Sequence, residues 1–172
     1  MKRGRVGARA KRAVEWLVPA ENPAGAVYGM IVVGALLAAE SGRYESHADA
    51  VGSTLIALGL YWLAHAYAGV LGQRLTSHER LTAGALGRAL LHDWAIVRGA
   101  AIPLLALLLG WALGAGREAA VSAALWSTVA GLIAFELLAG VRSRATRPEL
   151  ALEVGVGVAM GVGILALKIL LH

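Results

Sequence analysis

The chain has 172 residues, 58% hydrophobic and 16% charged, with a formal net charge of +5 and a mean hydropathy of +0.67. That balance is too apolar for an ordinary water-soluble domain, at about 45–50% apolar and about 25% charged, and it excludes disorder, which needs low hydrophobicity. The absence of cysteine removes disulfide frameworks, thiolate metal sites and cysteine nucleophiles, and a small polytopic membrane protein remains.

Residues 1–23 form a basic segment with six cations: Lys2, Arg3, Arg5, Arg9, Lys11 and Arg12. No apolar core with a small-residue cleavage site follows them, so the segment does not read as a cleaved signal peptide. Ala8 to Val18 reads as a short basic helix on the cytoplasmic face of the membrane, with Trp16 at headgroup level and the cations facing anionic lipid. Basic residues beside a first span commonly set orientation, so nucleic acid is not an expected partner.

A transmembrane helix needs about 20 mostly apolar residues. Five stretches qualify as spans, at about 24–39, 50–71, 96–114, 119–141 and 150–171, the first of them short. Barrel strands would alternate in polarity over about 10 residues. These stretches are continuously apolar, so the expected fold is an all-α polytopic bundle, one domain over 1–172. Gly157-x-x-x-Gly161 in the fifth span is a close-packing pattern, and Gly110 and Gly114 extend that theme to the third.

The link over 72–95 predicts a surface helix. Thr76-Ser77-His78-Glu79 fits a capping box, with Thr76 as N-cap. Leu81, Ala85, Leu86, Ala89 and Leu90 then recur at helical spacing, with Arg80, Gly84, Arg88 and His92 opposite. The helix leads towards the third span through Trp94, and Pro103 removes the donor that would meet the Gly99 carbonyl. With the N-terminus in the cytoplasm, thirteen cations fall inside and only Arg43, Arg117 and Lys168 fall outside. The asymmetry predicts N-in and C-out. Lys168 is expected to snorkel to the outer surface.

Motifs of soluble enzymes are missing: no phosphate loop, no H-E-x-x-H, no G-x-S-x-G and no EF-hand loop. No catalytic residue, metal site or cofactor is predicted. His78 and His92 lie about 21 Å apart on a continuous helix, too far to share a metal. Glu45, His47 and Asp49 fit a solvated outer loop better than a cation site.

Ionisable groups inside spans are costly and face protein or a water-filled cavity. His65 lies about 10 Å, Glu136 about 9 Å and Glu153 about 5 Å from the cytoplasmic ends of their spans. Arg98 and Tyr28 open their spans at the rim of the same layer. Tyr61 and His65 share one helix face, as do Glu136 with Gly140 and Glu153 with Gly157. Glu136 beside His65 would make a proton switch; Glu136 beside Arg98 would make a structural ion pair.

Val27-Tyr-Gly-Met-Ile-Val-Val-Gly34 and Tyr61-Trp-Leu-Ala-His-Ala-Tyr67 resemble a family of small polytopic integral-membrane proteins of high-GC bacteria. The resemblance implies a plasma-membrane location and a bacterial source, and it brings no activity with it. The residues point to a homo-oligomeric channel or carrier for protons or small cations. Glu136 would be its acceptor, His65 the partner, and Glu153 with Tyr61 the lining. The alternative is a non-catalytic membrane accessory subunit or scaffold, in which the same polar layer holds helices together.

Overall fold

A computed structural model of the chain describes residues 22–40, 46–77 and 80–171. Every regular element among the described residues is an α-helix: α1 Pro23–Glu40, α2 His47–Ser77, α3 Ala83–His92, α4 Trp94–Ala112, α5 Arg117–Ser143 and α6 Arg147–Leu171. Four stretches are long and apolar enough to cross a membrane: His47–Thr76, Ala83–Ala112, Arg117–Ser143 and Arg147–Leu171. The apolar helix Pro23–Ala39 is shorter. The helices overrun the expected spans at most ends, α2 furthest. The basic segment before Asn22, with its expected surface helix, lies outside the described residues, as do Arg43, Glu45, His78 and Glu79.

The helix ends follow local side-chain chemistry. Asn22 precedes Pro23 and accepts the Gly25 N–H at 2.8 Å, an N-cap followed by proline where proline costs nothing. Ser46 caps α2, its hydroxyl accepting the Asp49 N–H at 3.2 Å and donating to the Asp49 carboxylate at 2.7 Å. The expected cap at Thr76 is not used. α2 runs on through it, and the Thr76 hydroxyl donates back to Gln73 O at 3.0 Å. Thr82 caps α3 instead, accepting the Ala85 N–H at 3.1 Å. A second T-x-x-E sequence does form a cap: the Thr146 N–H donates to Glu149 at 2.7 Å and holds the start of α6.

Two turns reverse the chain in the same way. After α4 the Gly114 N–H donates to Trp111 O and the Ala115 N–H to Gly110 O, both at 2.9 Å. Gly114 sits at φ +76° with no atom within 4 Å of a Cβ built there, so it is a turn glycine, not the packing glycine expected. After α5 the same bond runs from the Ala145 N–H to Gly140 O at 2.9 Å. Here Arg144 occupies the left-handed position, with φ 55°.

α1 packs against α2, α4, α5 and α6, most extensively against α4. Ala26, Met30, Val33 and Leu37, one face of α1, are fully buried. At the α1–α4 crossing a Cβ on Gly29 would strike the Ile96 carbonyl, and a Cβ on Gly99 would strike the Ala26 carbonyl. The backbones are in direct contact, as small residues permit in membrane helices. Gly25 meets Ala95 and Gly99 meets Ala26, so α1 and α4 run parallel. Gly110 against Ala120, and Gly157 and Gly161 against Glu136 and Val129, make α4–α5 and α5–α6 antiparallel. α3 has no buried residue and joins α4 at Asp93. Aliphatic side chains cover much of the outer surface, among them Ile56, Leu60, Leu109, Leu152 and Ile169, all exposed.

Candidate functional site

The expected polar layer separates into two clusters. The first is a seam between α5 and α6. Glu136 lies one turn from Gly140 on α5, and Glu153 one turn from Gly157 on α6. The antiparallel helices put each carboxylate side chain on the other helix's glycine. A Cβ on Gly157 would sit 3.0 Å from Glu136 Cγ, and one on Gly140 would strike Leu150 Cδ1 and sit 2.7 Å from Glu153 Oε2. The two glycines therefore make space for the two glutamates, with Leu150 sharing the space over Gly140. Both glutamate side chains are half-buried. Glu153 Oε2 is buried with no hydrogen-bond partner.

The second cluster lies between α1 and α2. The His65 ring packs against Tyr28 of α1 at 5.8 Å and Tyr61 of its own helix at 5.9 Å. His65 also lines a cleft of about 400 Å³ between α2 and α3, with Gln73, Arg88, His92 and Asp93. Asn22 closes one corner: its side-chain nitrogen donates to His92 O and to Asp93 Oδ1, both at 3.3 Å. Trp62 ties α2 to α3 through a bond to Leu90 O at 3.1 Å and stacks edge-on against Trp94 at 5.3 Å.

Sequence reasoning paired Glu136 with His65 or with Arg98, and neither pair forms. α2 packs on α1, α3 and α4, whereas the Glu136 seam belongs to α5 and α6. No ion pair joins Arg98 to either glutamate, and Arg98 Nε is buried without a hydrogen bond. Gly110 packs on Ala120, and Gly157 and Gly161 turn inward as a packing face. Lys168 donates to Ser122 of α5 at 2.8 Å. His47 stacks on Trp111 at 5.6 Å and lies 3.2 Å from Ala115 O. Among the described residues no three His, Asp or Glu side chains gather as metal ligands.

Three hydroxyls elsewhere in the bundle are bonded within their own helices, whereas the buried Thr54 hydroxyl has no partner. Ser53 donates to Asp49 O, and both Ser127 and Thr128 donate to Ala124 O. Gly29, Gly99 and Asn22 were missed as structural residues. The signal for Asn22 was the Asn-Pro pair opening an apolar run; the glycines stood in runs of other small residues with nothing to single them out. No protein-family model, curated protein or solved structure matches the chain, so its geometry alone carries the functional reading.

Proposed function

We propose that the protein is a five-span membrane protein that takes up and passes protons or small cations, with Glu136 and Glu153 as the acceptor pair. The observation that carries this reading is the reciprocal seating of the two glutamates on Gly157 and Gly140. Glu153 Oε2 is buried without a partner, and a proton or small cation shared with Glu136 would supply one. The hydroxyls of Ser53, Ser127 and Thr128 are bonded to their own helices, which fits a narrow proton route better than a wide aqueous pore.

The helix directions support five crossings. α1 and α4 run parallel, α5 runs against both α4 and α6, and α1 spans about 27 Å at its 18 residues. The described end of the bundle that holds Asn22 and Asp93 also holds Arg74, Arg80, Arg88, Arg98, Arg142, Arg144 and Arg147, and only Arg117 and Lys168 lie towards the other. The cation-rich end is assigned to the cytoplasm of a plasma membrane.

Proton flux in proteoliposomes under an imposed potassium diffusion potential tests the reading. Flux above empty liposomes that Glu136→Gln and Glu153→Gln each remove, with helicity unchanged, is the expected result. Flux absent from the wild type, or unaltered in both variants, removes the acceptor role. One observation favours a second reading, a membrane scaffold or homo-oligomer: Ala151, Gly155, Ala159 and Gly163 form an exposed stripe on α6. Small residues at this spacing admit another helix. Co-purifying membrane proteins, or a self-associated mass that Gly155→Leu returns to monomer, would favour it over transport.

A further inference from the structure

The cleft between α2 and α3 takes no part in the carboxylate seam. Its polar wall is built by Gln73 of α2 with Arg88 and His92 of α3. A much smaller hollow shares Val70, Gln73 and Ala85 with it and continues to Arg74 and Arg80. Three guanidinium groups from α2, the link and α3 thus line one connected depression. None of Arg74, Arg80 and Arg88 forms an ion pair among the described residues. Asp93, the acidic group of the lining, is largely buried and accepts from Asn22. With the hollow included, the depression carries three guanidinium groups against one carboxylate, and its planar donors suit a phosphate.

The surroundings identify the source of that phosphate. Leu75, Leu81 and Leu91 are exposed around the arginines, Leu75 and Leu91 by more than seventy per cent, at 73% and 77%. Leu63 and Tyr67 are exposed on α2 beside the cleft. A soluble anion would gain nothing from these side chains; the acyl chains attached to a headgroup would lie against them. Gly69 lines the cleft with no atom within 4 Å of a Cβ built there, leaving its wall open.

We propose that the α2–α3 cleft is a binding site for the phosphate headgroup of an anionic phospholipid, held by Arg80 and Arg88 with Arg74 at the rim. The site is a built one, distinct from the diffuse attraction of the basic N-terminal segment, and basic pockets between membrane helices hold anionic headgroups by this means. Trp62 and Trp94, stacked beside α3, give it a spectroscopic reporter.

The full-length protein in a neutral detergent is titrated with short-chain phosphatidylglycerol, with phosphatidylcholine of equal chain length, and with inorganic phosphate, following tryptophan emission. Phosphatidylglycerol is expected to give a saturable change that the other two do not. Arg80→Gln and Arg88→Gln are each expected to weaken it about five-fold, and Arg142→Gln, exposed at the same end outside the cleft, to leave it unchanged. Gly69→Leu fills the cleft with every arginine in place and is expected to abolish saturation. Arg88→Lys keeps the charge and is expected to retain part of the affinity if the fold is intact. Equal responses to both lipids, saturation by inorganic phosphate alone, or unchanged affinity in both glutamine variants overturns the proposal.

Discussion

Gly29 and Gly99 set how closely α1 approaches α4, because a Cβ on either would meet a backbone carbonyl that has no rotamer through which to yield. Gly29→Ala and Gly99→Ala are each expected to destabilise the protein by about 1–3 kcal/mol, the range for forcing extra atoms into a packed core. Gly163→Ala on the open side of α6 is expected to be neutral or slightly stabilising, since it gains helix propensity and meets nothing. Thermal unfolding in detergent, read by circular dichroism, compares the three. The opposite effect is expected at Arg144. It holds the left-handed position of the α5–α6 turn with φ 55°, where a Cβ is strained. Arg144→Gly is expected to raise stability by roughly 1 kcal/mol in the same assay. The sequence offered 22 glycines, and pattern alone could not separate those under a crossing helix from those facing lipid. Gly157 and Gly161 were legible because they recur at one helical spacing beside Glu153. Gly114 was misread because a glycine at a helix end and a glycine inside it look alike without the turn's hydrogen bonds.

At the scale of elements, capping decides where these helices begin. The two T-x-x-E sequences, Thr76–Glu79 and Thr146–Glu149, are equivalent as patterns, yet only the second caps a helix. Proline accounts for the difference. Pro148 favours the first turn of a new helix, whereas no proline follows Thr76 to open one there. Asn22 does more than a cap. Its oxygen accepts from Gly25 while its nitrogen holds His92 and Asp93, so it joins the start of α1 to the α3–α4 junction. Asn22→Ala is expected to cost about 1–2 kcal/mol and to speed amide exchange both in the first turn of α1 and around Asp93. Faster exchange confined to α1 would reduce Asn22 to an ordinary cap. The proposed acceptor pair belongs to this scale too. The shared faces of Glu136 with Gly140 and Glu153 with Gly157 were readable from spacing, but which helices would meet was not, and the expected pairing with His65 failed on that point.

The molecule as a whole is an apolar bundle with charge gathered at one end, and its class was legible from composition because lipid-facing and core-facing surfaces are both apolar. Trp94 and Trp111, both partly exposed, stand at the two ends of α4 about 26 Å apart along the helix. That separation suits aromatic anchors at the two faces of a hydrocarbon layer about 30 Å thick. The number of crossings turns on α1, the shortest of the apolar helices and one packed against four others. Because neighbours shield α1, it needs less apolar length of its own than a helix facing lipid. The cysteine-free chain allows a direct test by single-cysteine labelling with a membrane-impermeant maleimide in oriented vesicles. Ala24→Cys, Gly84→Cys and Ser143→Cys are expected to react from one face, and Ala48→Cys and Gly116→Cys from the other. Ala24 reacting together with Ala48 and Gly116 would place the start of α1 at the wrong face and reject the five-crossing arrangement. Agreement on all five positions would put the arginine-lined cleft at one leaflet's headgroups and the seam glutamates a short way beneath the same surface, where a proton arriving from that side meets Glu153 before Glu136.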